Sequence, residues 1–327
     1  MIQVDNLSKY FGPIMAVDRI SFQVDRGEIV GFLGPNGAGK TTTMRILTTF
    51  LPATSGIAQV AGFDVMMQSM DVRKNIGYLP ESVPLYPEMR VEEYLRYRAQ
   101  LKGVDRAVRQ SRIESSLERC RIREVRRRLL GTLSKGYRQR VGLADAMIHD
   151  PPILILDEPT AGLDPRQIRE TLALIRDLGS SHTILLSTHI LSEVEAICGR
   201  VIIINSGRIG LDKRLKDLAS DSIIVLEVRG PNEQVANVLK TTDGVEQVSP
   251  EAVGDGLAGF QVRTRNDQDL REVIFQRIAK NGWGLRRLDL RRRSLEDHFM
   301  EVLREEDPLL GRRFGKESSE AIQAANN

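Results

Sequence analysis

Two short stretches of this chain carry residues whose types and spacing could do chemistry. Gly34-Pro35-Asn36-Gly37-Ala38-Gly39-Lys40-Thr41, followed by Thr42, has the spacing G-x-x-x-x-G-K-[ST]. Glycines so placed let the backbone curl until several N–H groups point at one anion. Such a loop cradles the α- and β-phosphates of a nucleotide, with Lys40 reaching the β- and γ-phosphates and the Thr41 hydroxyl on Mg²⁺. The second stretch, Ile153-Leu154-Ile155-Leu156-Asp157-Glu158, sets two carboxylates at the end of four apolar residues. Carboxylates in apolar surroundings are costly to leave unpaired, so a bound Mg²⁺ is their natural partner. Asp157 fits the metal site, directly or through water. Glu158 fits a base that polarises an attacking water.

Both stretches need particular elements to hold them. Glu28 to Leu33 reads as a strand running into the glycine-rich loop, and Thr42 to Leu51 as the helix after it. The positive N-terminal end of that helix adds to the anion site. Ile153 to Leu156 reads as a strand buried on both faces, with its acids at the C-terminal end, where ligands bind in open α/β sheets. A helix near Arg166 to Leu178, a strand at Thr183 to Ser187 and a helix near Leu191 to Cys198 follow. This alternation predicts a parallel sheet covered on both faces. Earlier, Ile20, Phe22 and Val24 alternate with polar neighbours, as a half-buried strand does. About Pro87 to Leu130 has helical spacing and few strand formers, and is read as a helical insertion.

A third stretch, Leu133-Ser134-Lys135-Gly136-Tyr137-Arg138-Gln139-Arg140, lies about twenty residues before the acidic strand. In this order, between phosphate loop and carboxylates, it resembles the signature motif of the ABC (ATP-binding cassette) ATPases. Ala161-Gly162-Leu163-Asp164-Pro165 looks like that family's D-loop, and His189, after Ser187-Thr188, resembles its switch histidine. The resemblance covers about residues 1 to 220. It implies a P-loop α/β core with an antiparallel β-subdomain and a helical subdomain, about 87–150. It also implies that Ser134 and Gly136 face the γ-phosphate of ATP held by a second copy, that His189 contacts the γ-phosphate, and that Tyr10 or Phe11 stacks on adenine. The spacing from Lys9 favours Phe11.

Two departures from the family pattern stand out. Glu81 follows Pro80 where the family has a glutamine that meets Mg²⁺ and the membrane partner, and Lys135 and Tyr137 replace a glycine and a glutamine of the signature. Both resemble the branch serving bacterial two-component exporters, of gliding-motility, drug-resistance and nitrous-oxide-reductase maturation type. Leu295-Glu296-Asp297-His298-Phe299 also looks like the end of such subunits. Glu81 is retained as a metal-site residue that also senses the permease.

From residue 221 the pattern changes to short strands and helices, a small α+β domain over 221–303. It has no phosphate loop or paired carboxylates, so a regulatory or dimer-supporting role is expected. Ser294 and Asp297 make a capping box for a last helix, and 304–327 is expected to be disordered.

The 327 residues carry 47 basic and 44 acidic side chains, net +3, so composition does not call for nucleic acid as a partner. Two cysteines make no disulfide framework and fit a reducing compartment. The start of the chain has no apolar signal segment, and no apolar run approaches the roughly 20 residues of a membrane span. The reading is therefore an ATP- and Mg²⁺-dependent ATPase, homodimeric and peripheral on the cytoplasmic face of the membrane, powering an integral permease, with export favoured. A soluble mechanoenzyme of the same fold, acting on ribosomes or DNA, and the ATPase of an importer are the alternatives.

Overall fold

The computed structural model describes residues 1–218, 222–253, 257–265 and 268–306. The elements in chain order are β1 (Ile2–Phe11), β2 (Ile14–Val24), β3 (Ile29–Leu33), α1 (Lys40–Leu47), β4 (Ser55–Val60), β5 (Phe63–Asp64), α2 (Ser69–Asn75) and β6 (Ile76–Leu79). Then come α3 (Val91–Leu101), α4 (Arg106–Arg119), α5 (Lys135–Met147), β7 (Ile153–Asp157), α6 (Pro165–Leu178), β8 (Thr183–Thr188), α7 (Leu191–Ile197), β9 (Arg200–Asn205) and β10 (Arg208–Arg214). The last are α8 (Leu215–Leu218), β11 (Ser222–Arg229), α9 (Asn232–Lys240), β12 (Val245–Glu251), β13 (Ala258–Thr264), α10 (Arg271–Lys280), β14 (Gly284–Arg292) and α11 (Leu295–Glu306).

The chain divides into two compact units, Met1–Arg214 with the described residues from Phe299, and Leu215–His298. In the first, a sheet of order β10-β9-β3-β8-β7-β6 forms the α/β core, its strands parallel except at the β9–β10 edge. Every residue of β7 and β8 is buried, as strands covered on both faces require. A second, antiparallel sheet of order β2-β1-β4-β5 shares one apolar core with β3 and α1, where Phe22 and Phe32 pack at 5.5 Å between ring centroids. The expected P-loop core with an antiparallel β-subdomain is therefore present. The helix after the glycine-rich loop is shorter than expected. It begins at Lys40 and ends at Leu47, because Thr49 takes a left-handed backbone (φ 60°) that no helix continues through.

Helices α3, α4 and α5 form the expected helical region. Asp145, buried in α5, accepts from Arg98 Nε of α3 at 2.9 Å and lies 3.1 Å from Nζ of Lys102, which caps the C-terminal end of α3. The two cations come from the end of α3, so this cluster fixes α3 against α5.

The second unit runs β11-α9-β12-β13-α10-β14, with sheet order β12-β13-β11-β14 and every pairing antiparallel. This is the split βαββαβ arrangement. Ile224, Leu226, Val228, Phe260 and Val262 line one face of the sheet and pack with Val235 and Leu239 of α9 and with Ile274 and Ile278 of α10. The capping box forms at α11, with Asp297 N–H donating to Ser294 Oγ and Ser294 N–H to Asp297 Oδ2. Helix α11 runs on to Glu306, and Val302 packs against Gly210 of β10. The expected domain boundary near 220 falls outside the described residues, as does the tail from 307.

Candidate functional site

The glycine-rich loop joins β3 to α1 at the C-terminal edge of the parallel sheet. Close approach dictates its glycines. A Cβ at Gly34 would lie 2.3 Å from Ile204 O, and one at Gly39, where φ is 104°, 2.5 Å from Ala16 O. No L-residue with a side chain fits either place without moving the backbone. Within the loop, Ala38 N–H donates to Pro35 O, and the loop is tied to the core by Gly34 N–H to Thr188 O and Gly207 N–H to Ala38 O.

Lys40, the first residue of α1, is buried. Its ammonium donates to Gly34 O (2.8 Å) and Pro35 O (3.1 Å) and lies 3.3 Å from Glu158 Oε1. The other oxygen of Glu158 is 2.9 Å from His189 Nδ1. Glu158 has φ 47°, and its N–H meets both Ser187 Oγ at 3.0 Å and Ser187 O at 3.2 Å. A carboxylate residue in this sparsely populated region is held there by its surroundings.

Beside it, Asp157 Oδ1 accepts from Ser187 Oγ (2.6 Å) and Thr41 Oγ1 (3.1 Å). Burial pushes the Asp157 carboxyl above the usual carboxylate range; the two hydroxyls pull it down, and the negative charges of Glu158 and Glu81 push it further up. This donor set fits a magnesium ion. It offers a hydroxyl and a buried carboxylate with little positive charge nearby, and Mg²⁺ is commonly held by one or two carboxylates plus phosphates and water. Among the described residues no group of three or more His, Cys, Asp or Glu forms a dedicated metal cage.

A cavity of about 360 Å³ collects Asn36, Gly37, Gly39, Lys40, Thr41, Thr42, Glu81, Glu158, Ala161 and His189. Nine of these ten were singled out from the sequence as site residues in separate stretches: Asn36, Gly37, Gly39, Lys40, Thr41 and Thr42 of the loop, the two acids Glu81 and Glu158, and His189. Gly34, Pro35 and Ala38 shape the loop behind the lining. Phe11 is not in the lining; it is 46% exposed at the end of β1, with Lys9 Nζ 5.1 Å from its ring centroid. Ser134 and Gly136 also lie outside the lining. Ser134 caps α5, accepting from Tyr137 N–H, and a Cβ at Gly136 would lie 2.8 Å from Gln167 Oε1. Tyr137, at the glutamine position of the signature, donates from its hydroxyl to Glu124 at 2.9 Å.

Sequence reasoning passed over one buried acid behind the lining. Glu193 of α7 is buried, and its two oxygens accept from Thr160 Oγ1 (2.5 Å) and Thr188 Oγ1 (2.6 Å). An acid in a short helix beside Ser192 and Glu195 reads as solvated, so local pattern gave no signal for it.

A phosphate loop after β3 at the edge of a parallel sheet, with paired acids at the end of β7, one strand beyond the adjacent β8, defines a P-loop nucleotide-binding ATPase. The sequence pattern of the ABC transporter family matches residues 17–161. The chain is 31% identical over 305 residues to the bacitracin transport ATP-binding protein BcrA of Bacillus licheniformis, covering 93% of this chain and 97% of that one. It is 32% identical over 254 residues to the linearmycin resistance ATP-binding protein LnrL of Bacillus subtilis (76% and 82%). Among solved structures, an ATP-binding subunit of an ABC transporter aligns with TM-score 0.61 and 32% identity, over 67% of this chain and 91% of that one. A dimeric bacterial ABC transporter cassette at 24% identity shares the fold, with TM-score 0.60 over 66% and 99%. The chain belongs to the ABC transporter family, as an ATP-binding, ATP-hydrolysing subunit.

Proposed function

We propose that this subunit hydrolyses ATP in a homodimer on the cytoplasmic face of the membrane and thereby drives a separate integral permease that exports its cargo. The observation that carries the reading is the convergence of Lys40, Glu158 and His189 in one cavity with the loop glycines and Thr41. Lys40 compensates phosphate charge. Glu158 accepts a proton from the attacking water, and His189 orients the Glu158 carboxylate through its 2.9 Å contact. Thr41 and Asp157 hold Mg²⁺, with Glu81 nearby; bound there, the ion offsets negative charge on the phosphates.

Ser134 and Gly136 lie outside the lining of their own chain's cavity, which favours their acting on ATP held by a second copy. Phe11, exposed at the rim of the β-subdomain, is assigned to the adenine. No helix among the described residues is long and apolar enough to cross a membrane, so translocation requires a partner. The names of the relatives, bacitracin transport and linearmycin resistance, favour export.

The test is affinity capture of the full chain from detergent-solubilised membranes, with ATPase assays on the captured material. Co-purification of an integral membrane protein that raises turnover is expected, with no turnover in Lys40→Ala. Recovery of ribosomes or DNA in place of a membrane protein overturns the transport reading, and a permease that requires a separate solute-binding protein overturns export.

A further inference from the structure

We infer that Glu193, which is not among the residues lining the cavity, is the positioning residue that sets the distance between Glu158 and His189; this rests on the assignment of Glu158 as the base. Glu193 sits in the first turn of α7 and is 1% exposed. Both of its oxygens are taken by hydroxyls, Oε1 by Thr160 at 2.5 Å and Oε2 by Thr188 at 2.6 Å, and both threonines are themselves buried. Thr160 stands two residues after Glu158, and Thr188 immediately precedes His189.

The connections therefore close a ring. Glu158 leads through Pro159 to Thr160, across Glu193 to Thr188, on to His189, and back to Glu158 through the 2.9 Å contact at Nδ1. Further short links stiffen it. Ile190 N–H donates to Thr188 Oγ1, Ala161 N–H to Glu158 O and Glu193 N–H to Ile190 O. A desolvated carboxylate is an expensive tether, and two apolar side chains of similar volume would fill the space more cheaply. What the carboxylate adds is a pair of short, directional bonds to two loops at once. Those loops carry the two groups whose separation the hydrolytic step depends on, and one of them holds Glu158 at positive φ.

The experiment compares full-length Glu193→Ala, Glu193→Gln, Glu158→Gln and the Glu158→Gln/Glu193→Ala double variant for kcat, ATP affinity and thermal midpoint. Glu193→Ala is expected to lower kcat roughly 10- to 100-fold, the scale of a misplacement of about 1 Å, while ATP affinity stays at the parent value. Glu193→Gln, whose amide accepts from one threonine and donates to the other, restores most of the turnover. In the Glu158→Gln background, Glu193→Ala adds no further loss, because residues acting as one unit are not additive.

A parent kcat in Glu193→Ala, or an equal fractional loss in both backgrounds, overturns the inference while leaving Glu158 as the base. Parent turnover in Glu158→Gln removes the base assignment and this inference with it. Should Glu193→Ala not fold, Thr160→Val and Thr188→Val each delete one hydroxyl at near-constant volume, and the same readings decide.

Discussion

Replacing Glu158 by Gln separates the two things this carboxylate does in the proposed mechanism. The first is chemistry. The amide keeps the size of the side chain and an accepting oxygen but cannot take a proton. General-base contributions are about 10² to 10⁴ in rate, or roughly 3 to 5 kcal/mol of barrier. The second is electrostatic. Glu158 Oε1 lies 3.3 Å from the buried Lys40 ammonium, a separation worth about 5 kcal/mol of attraction at an effective dielectric of 20. Most of that offsets desolvation, and Lys40 keeps its bonds to Gly34 O and Pro35 O, so the net loss on neutralising Glu158 is about 1 to 2 kcal/mol.

ATP phosphates and the Glu158 carboxylate compete for this one cation. Glu158→Gln should therefore bind ATP roughly ten times more tightly while hydrolysing it at least a hundredfold more slowly. The ATP-free protein should melt a few degrees lower, about 2–4 °C per kcal/mol for a chain of this size. Single-turnover hydrolysis, calorimetric ATP titration and thermal melts read the three effects, and light scattering should show ATP shifting this variant from monomer to dimer. A variant that hydrolyses at the parent rate removes the catalytic assignment. One that is slow, yet binds and melts like the parent, shows that the 3.3 Å contact carries no energy and refutes the competition argument.

Other outcomes follow from the same contacts. Lys40→Ala should lose ATP binding and ATP-driven dimerisation together, because the charge compensation precedes any chemistry; retained binding in a titration would refute it. Glu81→Gln should keep ATP binding but change permease stimulation and Mg²⁺ dependence, since Glu81 lines the cavity and adds negative charge near Asp157; turnover unchanged on both counts refutes the role. Truncation after Ser220 should leave nucleotide binding intact while lowering the thermal midpoint of the cassette, because it removes Val302 from its contact with Gly210; loss of ATP binding in a folded truncated protein would refute it. Burial first, and then the Lys102 charge, pull the His149 imidazole down to about 4 from 6.5. The folded state therefore resists a proton that the unfolded chain accepts, so stability present above pH 6.5 is lost as pH falls through about 4, by roughly 3 kcal/mol. His149→Gln should flatten that acid limb in urea titrations; an unchanged limb assigns it to other groups.

The parts of the site legible in sequence are those whose chemistry needs fixed residue types side by side. Gly34 to Thr41 is one, since the approach of Gly34 and Gly39 to backbone carbonyls leaves room for no other residue. The apolar run ending in Asp157 and Glu158 is another, since only a strand buried on both faces is so uniformly apolar. What could not be read were partners brought together by the sheet. Lys40 and Glu158 come from neighbouring positions of the fold but distant ones in the chain. Glu193 finds its hydroxyls on two different loops, and Asp145 finds Arg98 and Lys102 one helix away. Glu193 lies between polar neighbours and reads as solvated, and burial alone turns it into structure. Strand β10 escaped for a related reason. It is an antiparallel edge strand, and edges tolerate the charges of Asp212, Lys213 and Arg214 that disguise it as a linker.

The charges around the cavity also say how ATP must arrive. Glu81 and Glu158 line it and Asp157 lies directly behind Thr41, while among the described residues Lys40 supplies the only ammonium in the lining. His189 contributes a ring that is charged only if protonated, and it is already turned to Glu158. A triphosphate meeting three carboxylates and one ammonium gains little from the side chains alone. Backbone N–H groups of the loop and the N-terminal end of α1 supply part of the missing positive potential. In the proposed reading a divalent cation bound with the nucleotide would supply the rest beside Asp157, whose carboxyl burial pushes up. The acids would then favour phosphate that carries its own counter-ion. Glu158, 3.3 Å from the Lys40 ammonium, is placed in that reading to become a free base when phosphate oxygens take over the ammonium.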